Sequence, residues 1–194
     1  MSFKRGFKSQ CEKRSVELRK QLSLSPTDPL DARELAGYVG VTIWSLVNIQ
    51  MVDREDLNQL TNVDPNSWSA FTLKIGTRHL VVYNSTQSTA RVNSVCMHEL
   101  SHIILGHQLH DAHLSNDGHL IPSNYNKEQE DEADWFAGTL LLPRAVLLDV
   151  RERNLSDTEI MDEFLVSADM LRWRFRMTGV DLQLENRRKS GRSA

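Results

Sequence analysis

The sequence predicts an α+β fold, in which a small antiparallel or mixed sheet packs on two helices and further helices follow toward the C-terminus. Three observations support this prediction. Apolar and polar residues alternate from Ser69 to Asn84 around the turn residues Gly76-Thr77, which is typical of a β-hairpin. From Thr89 to Leu105, apolar residues recur at helical spacing. A second helix is predicted from Glu128 to Leu142, ending before a proline.

Capping and breaking residues define the other elements. Asp31 is a predicted N-cap and Gly40 ends the helix that follows it, after which a β-branched and aromatic run predicts a strand. The polar stretch 50–66 is expected to be a loop with at most one helical turn. Residues 107–127 are expected to form a long polar loop. In chain order, the predicted elements are a helix over 4–22, a helix over 32–38, a strand over 41–44, the hairpin over 69–84, a helix over 89–105, a helix over 128–142, and helices over 144–153, 158–164 and 168–177.

The 194-residue chain suits one domain with a small extension. We expect residues 1–150 to form the main domain together with its N-terminal helices. Residues 151–182 are expected to form a C-terminal helical extension that resembles a helix-turn-helix, and residues 183–194 a disordered tail.

Composition excludes several classes of protein. The formal net charge of −3 argues against non-specific coating of nucleic acid. No apolar run is long enough to span a membrane, and the charged start lacks the apolar core of a signal peptide. Cys11 and Cys96 have no metal-binding or redox spacing. We therefore expect a cytoplasmic protein without a structural disulfide.

The most informative motif is His98-Glu99-Leu100-Ser101-His102, within the predicted helix 89–105. Histidines four residues apart on a helix share one face, so both imidazoles can reach one cation. Glu99 lies beside them and can contact a water molecule without binding the cation itself. This arrangement is typical of zinc hydrolases, in which a carboxylate takes a proton from that water.

Glu130 is the best-placed candidate for the third ligand that the H-E-x-x-H helix needs, and it shares a helix face with Asp134, four residues further on. Two histidines and one glutamate make an open site with a position left for water. Asp134, one turn further on, can hydrogen-bond the outer nitrogen of a ligating histidine and fix its tautomer. The alternative is that the acidic segment 128–134 only complements the helix dipole, which we favour for Glu128 and Asp131. Glu132 is expected to be solvated.

These residues resemble the ImmA/IrrE family of metallopeptidases. The resemblance rests on the segment from His98 to His107, on Glu130-x-x-x-Asp134-x-Phe-Ala-x-x-Leu-Leu-Leu-Pro143, and on flanking segments over nearly the whole chain. It implies a minimal zincin-like domain with a gluzincin-type site, Zn²⁺ (or Mn²⁺) as cofactor, His98, His102 and Glu130 as ligands, and Glu99 as general base. It also implies an intracellular endopeptidase whose substrate is a helix-turn-helix repressor, so that cleavage switches on mobile-element, phage or stress genes.

The sequence does not fit the metzincin pattern, which would place a third histidine at position 108, occupied here by Gln108. The histidines of the following segment are expected to be solvated, although one of them is an open candidate for oxyanion binding. These are His107, His110, His113 and His119.

Two alternatives belong to other functional classes. The first is DNA binding by the predicted helices 158–164 and 168–177, of which the second carries Arg172, Arg174 and Arg176. We rank it lower, because Trp173 and Phe175 indicate that this helix packs in the core. The second is a protein that inactivates a repressor by binding it without turnover. The presence of Glu99 argues against this hypothesis.

Overall fold

A three-stranded sheet and the two helices that carry the predicted ligands form the centre of the structure, a computed structural model that describes residues 3–49, 53–108, 112–114, 120–122 and 126–191. The strands are β1 (Val41–Ser45), β2 (Ala70–Ile75) and β3 (Arg78–Tyr83), with a separate short pair β4 (Ala112–Leu114) and β5 (Leu120–Pro122). The helices are α1 (Phe7–Gln21), α2 (Ala32–Val39), α3 (Arg54–Asn58), α4 (Thr89–Leu105), α5 (Lys127–Leu141), α6 (Arg144–Glu152), α7 (Asp157–Phe164), α8 (Ala168–Thr178) and α9 (Val180–Gly191).

The sheet has the order β1-β3-β2 and is mixed. Strand β1 runs parallel to β3, whereas β2 and β3 form the predicted antiparallel hairpin, with Phe71 opposite Val82 and Ile75 opposite Arg78. Side chains of a strand alternate between the two faces. Val81 therefore enters the main core, while Leu80 and Val82 pack in a smaller cluster on the opposite side.

Local signals in the sequence account for most element ends. The Asp31 side chain accepts a hydrogen bond from the Arg33 N–H, and Gly40 ends α2 with a positive φ of 73°. The helix boundaries predicted from such residues agree with the structure to within a few residues. Residues 54–63 differ from the expected loop: α3 begins after the N-cap Asp53 and continues into a π-helical turn, Gln59–Val63.

Helix α4 packs on β2 and β3, and α5 packs along α4. The small residues Ala133, Ala137 and Gly138 of α5 predict a close approach to α4. The alanines are buried, but Gly138 faces α8: a Cβ atom built there would lie 2.5 Å from Trp173 Cζ3. The glycine therefore makes room for the tryptophan of another helix.

The C-terminal helices share the main core, which contains buried side chains from Phe7 of α1 to Val180 of α9. Arg174 is fully buried, donates from Nε to the Leu142 carbonyl and pairs with Glu12 Oε1 at 2.9 Å. A buried guanidinium that bridges α8 to α1 cannot contact a nucleic acid.

The expected disordered tail over 183–194 is replaced by a helix as far as Gly191, while residues 192–194 lie outside the described part. Tertiary contacts stabilise α9: Leu184 packs against the main core, and Asp181 Oδ1 accepts a hydrogen bond of 3.0 Å from Arg151 Nε. Within the described residues, the structure contains no helix long and apolar enough to cross a membrane.

Candidate metal centre

Helix α4 places His98 and His102 on one face, one turn apart. Its N-cap Ser88 accepts a hydrogen bond from the Arg91 N–H, and Gly106 ends it with a φ of 71°. The Nε2 atoms of the two imidazoles lie 3.0 Å apart. Two ring nitrogens that face each other at this distance need a proton or a cation between them.

Helix α5 brings Glu130 to the same point. Its Oε2 lies 3.3 Å from His98 Nε2, and its Oε1 lies 3.5 Å from His102 Nε2. The donor atoms of the three residues all fall within 4.8 Å of one another. Since His98 and Glu130 are partly exposed, the cluster faces an accessible surface.

Asp134, one helical turn beyond Glu130, contacts the other nitrogen of His98, with 2.9 Å between Asp134 Oδ1 and His98 Nδ1. Desolvation lowers the pKa of His98, but the hydrogen bonds with Asp134 and Glu130 outweigh it and raise that pKa to about 10. The site therefore strongly favours a positive charge, and two imidazoles with one carboxylate are a donor set that fits a zinc ion.

Glu99 is held by a residue of the sheet. Thr72 of β2 donates a hydrogen bond of 2.5 Å from Oγ1 to Glu99 Oε2. This contact was not predicted, because nothing in the sequence relates a hairpin position to a residue 27 positions later.

His107 and Glu132 depart from the expectation that both are solvated. His107 Nδ1 lies 3.0 Å from His102 Nδ1, and His107 Nε2 lies 3.2 Å from Glu132 Oε2. The His107 side chain is only 6% exposed. Burial lowers the pKa of His107, although the hydrogen bond with Glu132 acts in the opposite direction, so its neutral form is favoured.

The sequence signal for this contact is the Gly106-His107 pair. With Gly106 in the left-handed conformation, the His107 N–H bonds back to the His102 carbonyl at 3.0 Å, as in a Schellman turn. That turn returns residue 107 to the last turn of α4. Of the other predicted histidines, His110 and His119 lie outside the described residues, and His113 belongs to β4.

Comparison with known proteins gives one family. The model of the peptidase M78 family, described as the IrrE N-terminal-like domain, matches residues 54–176, which include β2, β3 and helices α4 to α7. No curated protein and no solved structure matches the chain significantly. The family implies a metallopeptidase, and the matched region contains every residue of the His-His-Glu cluster and Glu99. The chain therefore belongs to the IrrE N-terminal-like, peptidase M78 family.

Proposed function

We propose that the protein is an intracellular zinc-dependent endopeptidase that cleaves a helix-turn-helix repressor and so derepresses its genes. The observation that carries the proposal is the convergence of His98, His102 and Glu130 beside Glu99. The buried and unpaired Cys11 and Cys96 agree with a reducing compartment.

His98, His102 and Glu130 would hold the metal. When bound, zinc supplies Lewis acidity: it polarises a carbonyl oxygen and lowers the pKa of water. Mn²⁺ is an alternative occupant, because the Glu130 carboxylate also suits harder divalent ions. Asp134 holds the His98 ring through Nδ1, which leaves Nε2 directed at the metal position.

Glu99 is the proposed general base. It follows His98 in α4, and its carboxylate is fixed by the Thr72 hydroxyl. In the proposed reaction, Glu99 takes a proton from the attacking water and then donates it to the leaving amine of the cleaved peptide. A general base in position contributes about 10²- to 10⁴-fold to the rate.

Strand β2 is the proposed binding edge for the substrate. Among the described strands it pairs only with β3, so its outer edge can accept an extended peptide by strand addition. Thr72 belongs to this strand, so a peptide paired there would lie next to Glu99. A folded repressor would have to present an exposed linker, since only an extended segment can add to a sheet edge.

The choice of a repressor as substrate rests on the resemblance to the ImmA/IrrE family. A direct test would incubate the metal-loaded protein with the helix-turn-helix repressor encoded by a neighbouring gene, and would follow fragments by mass spectrometry. Glu99→Gln keeps the side-chain shape but removes the proton acceptor, so metal content should persist while cleavage falls by about 10²-fold or more. His98→Ala should lose metal as well as cleavage.

Glu152→Gln is the matched control, because it makes the same chemical change at the exposed end of α6. It should cleave at the wild-type rate. Wild-type cleavage by metal-loaded Glu99→Gln would show that Glu99 is not the base. A stable complex with the repressor that the metal-loaded wild type never cleaves would instead identify a binding protein without turnover.

A further inference from the structure

The metal-facing histidines are supported in two different ways. His98 contacts a carboxylate directly, with Asp134 at its Nδ1. Among the residues that the structure describes, the side chain at the corresponding nitrogen of His102 is the imidazole of His107, which in turn contacts Glu132. The second arrangement is therefore a chain of three side chains, His102, His107 and Glu132.

The backbone turn at Gly106 places His107 in this series of side chains. The left-handed Gly106 returns residue 107 to the final turn of α4, directly against His102. Glu132 comes from α5, two residues after Glu130, and its side chain is 23% exposed. The contacts therefore run from the last turn of α4, through the residue that follows its C-cap, to α5.

The positions of the protons on His102 and His107 follow from one constraint. If His102 binds a metal through Nε2, its proton must lie on Nδ1, where it faces His107 Nδ1 at 3.0 Å. His107 Nδ1 must then be the acceptor, so the proton of the neutral His107 ring lies on Nε2. That N–H donates to Glu132 Oε2 across 3.2 Å. Every donor in the chain has an acceptor only in this tautomer arrangement.

We propose that His107 and Glu132 are positioning residues for His102: together they fix the tautomer and ring orientation that direct His102 Nε2 at the metal. This inference rests on the metal centre of the proposed function but not on proteolysis. Metal binding can be measured without a substrate, so the two proposals can fail separately.

The experiment measures Zn²⁺ affinity by chelator competition and records the visible spectrum of the Co²⁺-substituted protein. His107→Phe keeps a ring of similar size and removes both nitrogens. We expect its Zn²⁺ affinity to fall by roughly 10- to 100-fold, the usual cost of removing a partner of a ligating histidine, and its Co²⁺ spectrum to change. Glu132→Gln retains an acceptor oxygen without the charge and should give a smaller loss. Glu128→Gln, at an exposed position of the same helix, is the control and should bind Zn²⁺ like the wild type.

A double variant distinguishes a Glu132 side chain that acts on His102 through His107, here called the relay, from one that affects metal binding independently of His107. If Glu132 acts only through His107, Glu132→Gln should cost nothing further in the His107→Phe background. Additive losses would overturn the relay. Wild-type Zn²⁺ affinity and an unchanged Co²⁺ spectrum in a folded His107→Phe protein would overturn it too, because a purely structural histidine affects stability and not metal binding. Should His107→Phe fail to fold, Glu132→Gln alone decides: wild-type Zn²⁺ affinity refutes the proposal, and a loss relative to Glu128→Gln supports it.

Discussion

Thr72 and Glu99 connect the sheet to the proposed chemistry: the threonine hydroxyl of β2 donates a hydrogen bond of 2.5 Å to the glutamate carboxylate of α4. The same strand is the proposed edge for the substrate. A peptide that shifts β2 would therefore also shift the partner of the proposed general base. We expect substrate binding and the orientation of Glu99 to be coupled through the Thr72 side chain.

Replacing Thr72 with valine tests this coupling, because valine keeps the branched shape and removes the hydroxyl. A hydrogen bond to a charged group contributes about 1.5–3 kcal/mol, so we expect kcat/KM for repressor cleavage to fall by about 10- to 100-fold at unchanged metal content. Thr72→Ser should recover most of the activity. Thr42→Val, on the exposed part of β1, is the matched control. Full activity of Thr72→Val would show that the hydrogen bond from Thr72 does not contribute to the action of Glu99.

Asp134→Asn tests the support of His98. The amide oxygen is uncharged, so it accepts a weaker hydrogen bond from His98 than the carboxylate does. We therefore expect Zn²⁺ affinity to fall by about 10- to 100-fold. Chelator competition measures this directly. Asp131→Asn makes the same change three residues earlier, where the aspartate contacts Lys127 at 3.1 Å, and it should leave the affinity unchanged. Equal Zn²⁺ affinities of the Asp134→Asn and Asp131→Asn variants would show that Asp134 does not support the metal centre.

Elements defined by local signals were predictable from the sequence. The hairpin follows from alternation around Gly76-Thr77, and α4 from an apolar stripe that includes the buried Val92, Cys96 and Leu100. The convergence of Glu130 on the two histidines was also predictable. An H-E-x-x-H helix needs one further ligand, and among the acids near the start of the next core helix only Glu130 has the spacing to Phe136 and Pro143 that resembles the ImmA/IrrE pattern.

Features that depend on packing between distant segments were not predictable. The polar composition of α9 indicated disorder, and only its contacts with the core and with Arg151 explain the helix. Similarly, the Gly106-His107 pair indicates the local turn after α4, but the contact of His107 with Glu132 also needs the packing of α5 against α4, which spacing does not reveal. Periodicity describes one element at a time and contains no information on such encounters.

DNA binding by the C-terminal helices is expected to be absent. Arg174 is buried, Arg172 pairs with Asp169, and α7 before them carries four acidic residues. We therefore expect no salt-sensitive mobility shift of duplex DNA by the wild type at physiological salt. Tight, sequence-dependent binding that is lost in an Arg172→Ala, Arg176→Ala double variant would contradict this prediction.

Gly138 and Gly37 form a pair of helical glycines with opposite expected responses to alanine. An added Cβ at Gly138 would lie 2.5 Å from Trp173 Cζ3, whereas nothing lies within 4 Å of a Cβ at Gly37. The tryptophan cannot withdraw easily, because its ring packs edge-on against Trp135 with centroids 5.6 Å apart. Overpacking costs about 1–3 kcal/mol, and the better helix propensity of alanine returns up to about 1 kcal/mol.

We therefore expect Gly138→Ala to lower the free energy of unfolding by about 1–2 kcal/mol, the balance of overpacking and propensity. Gly37→Ala lies on the exposed side of α2 and should raise that free energy by about 0.5–1 kcal/mol. Urea unfolding measures both, with an unchanged denaturant slope as the sign that the unfolded state is the same. A Gly138→Ala protein as stable as the wild type would mean that α5 and α8 separate at little cost, and that the glycine is not required for the close contact between these helices.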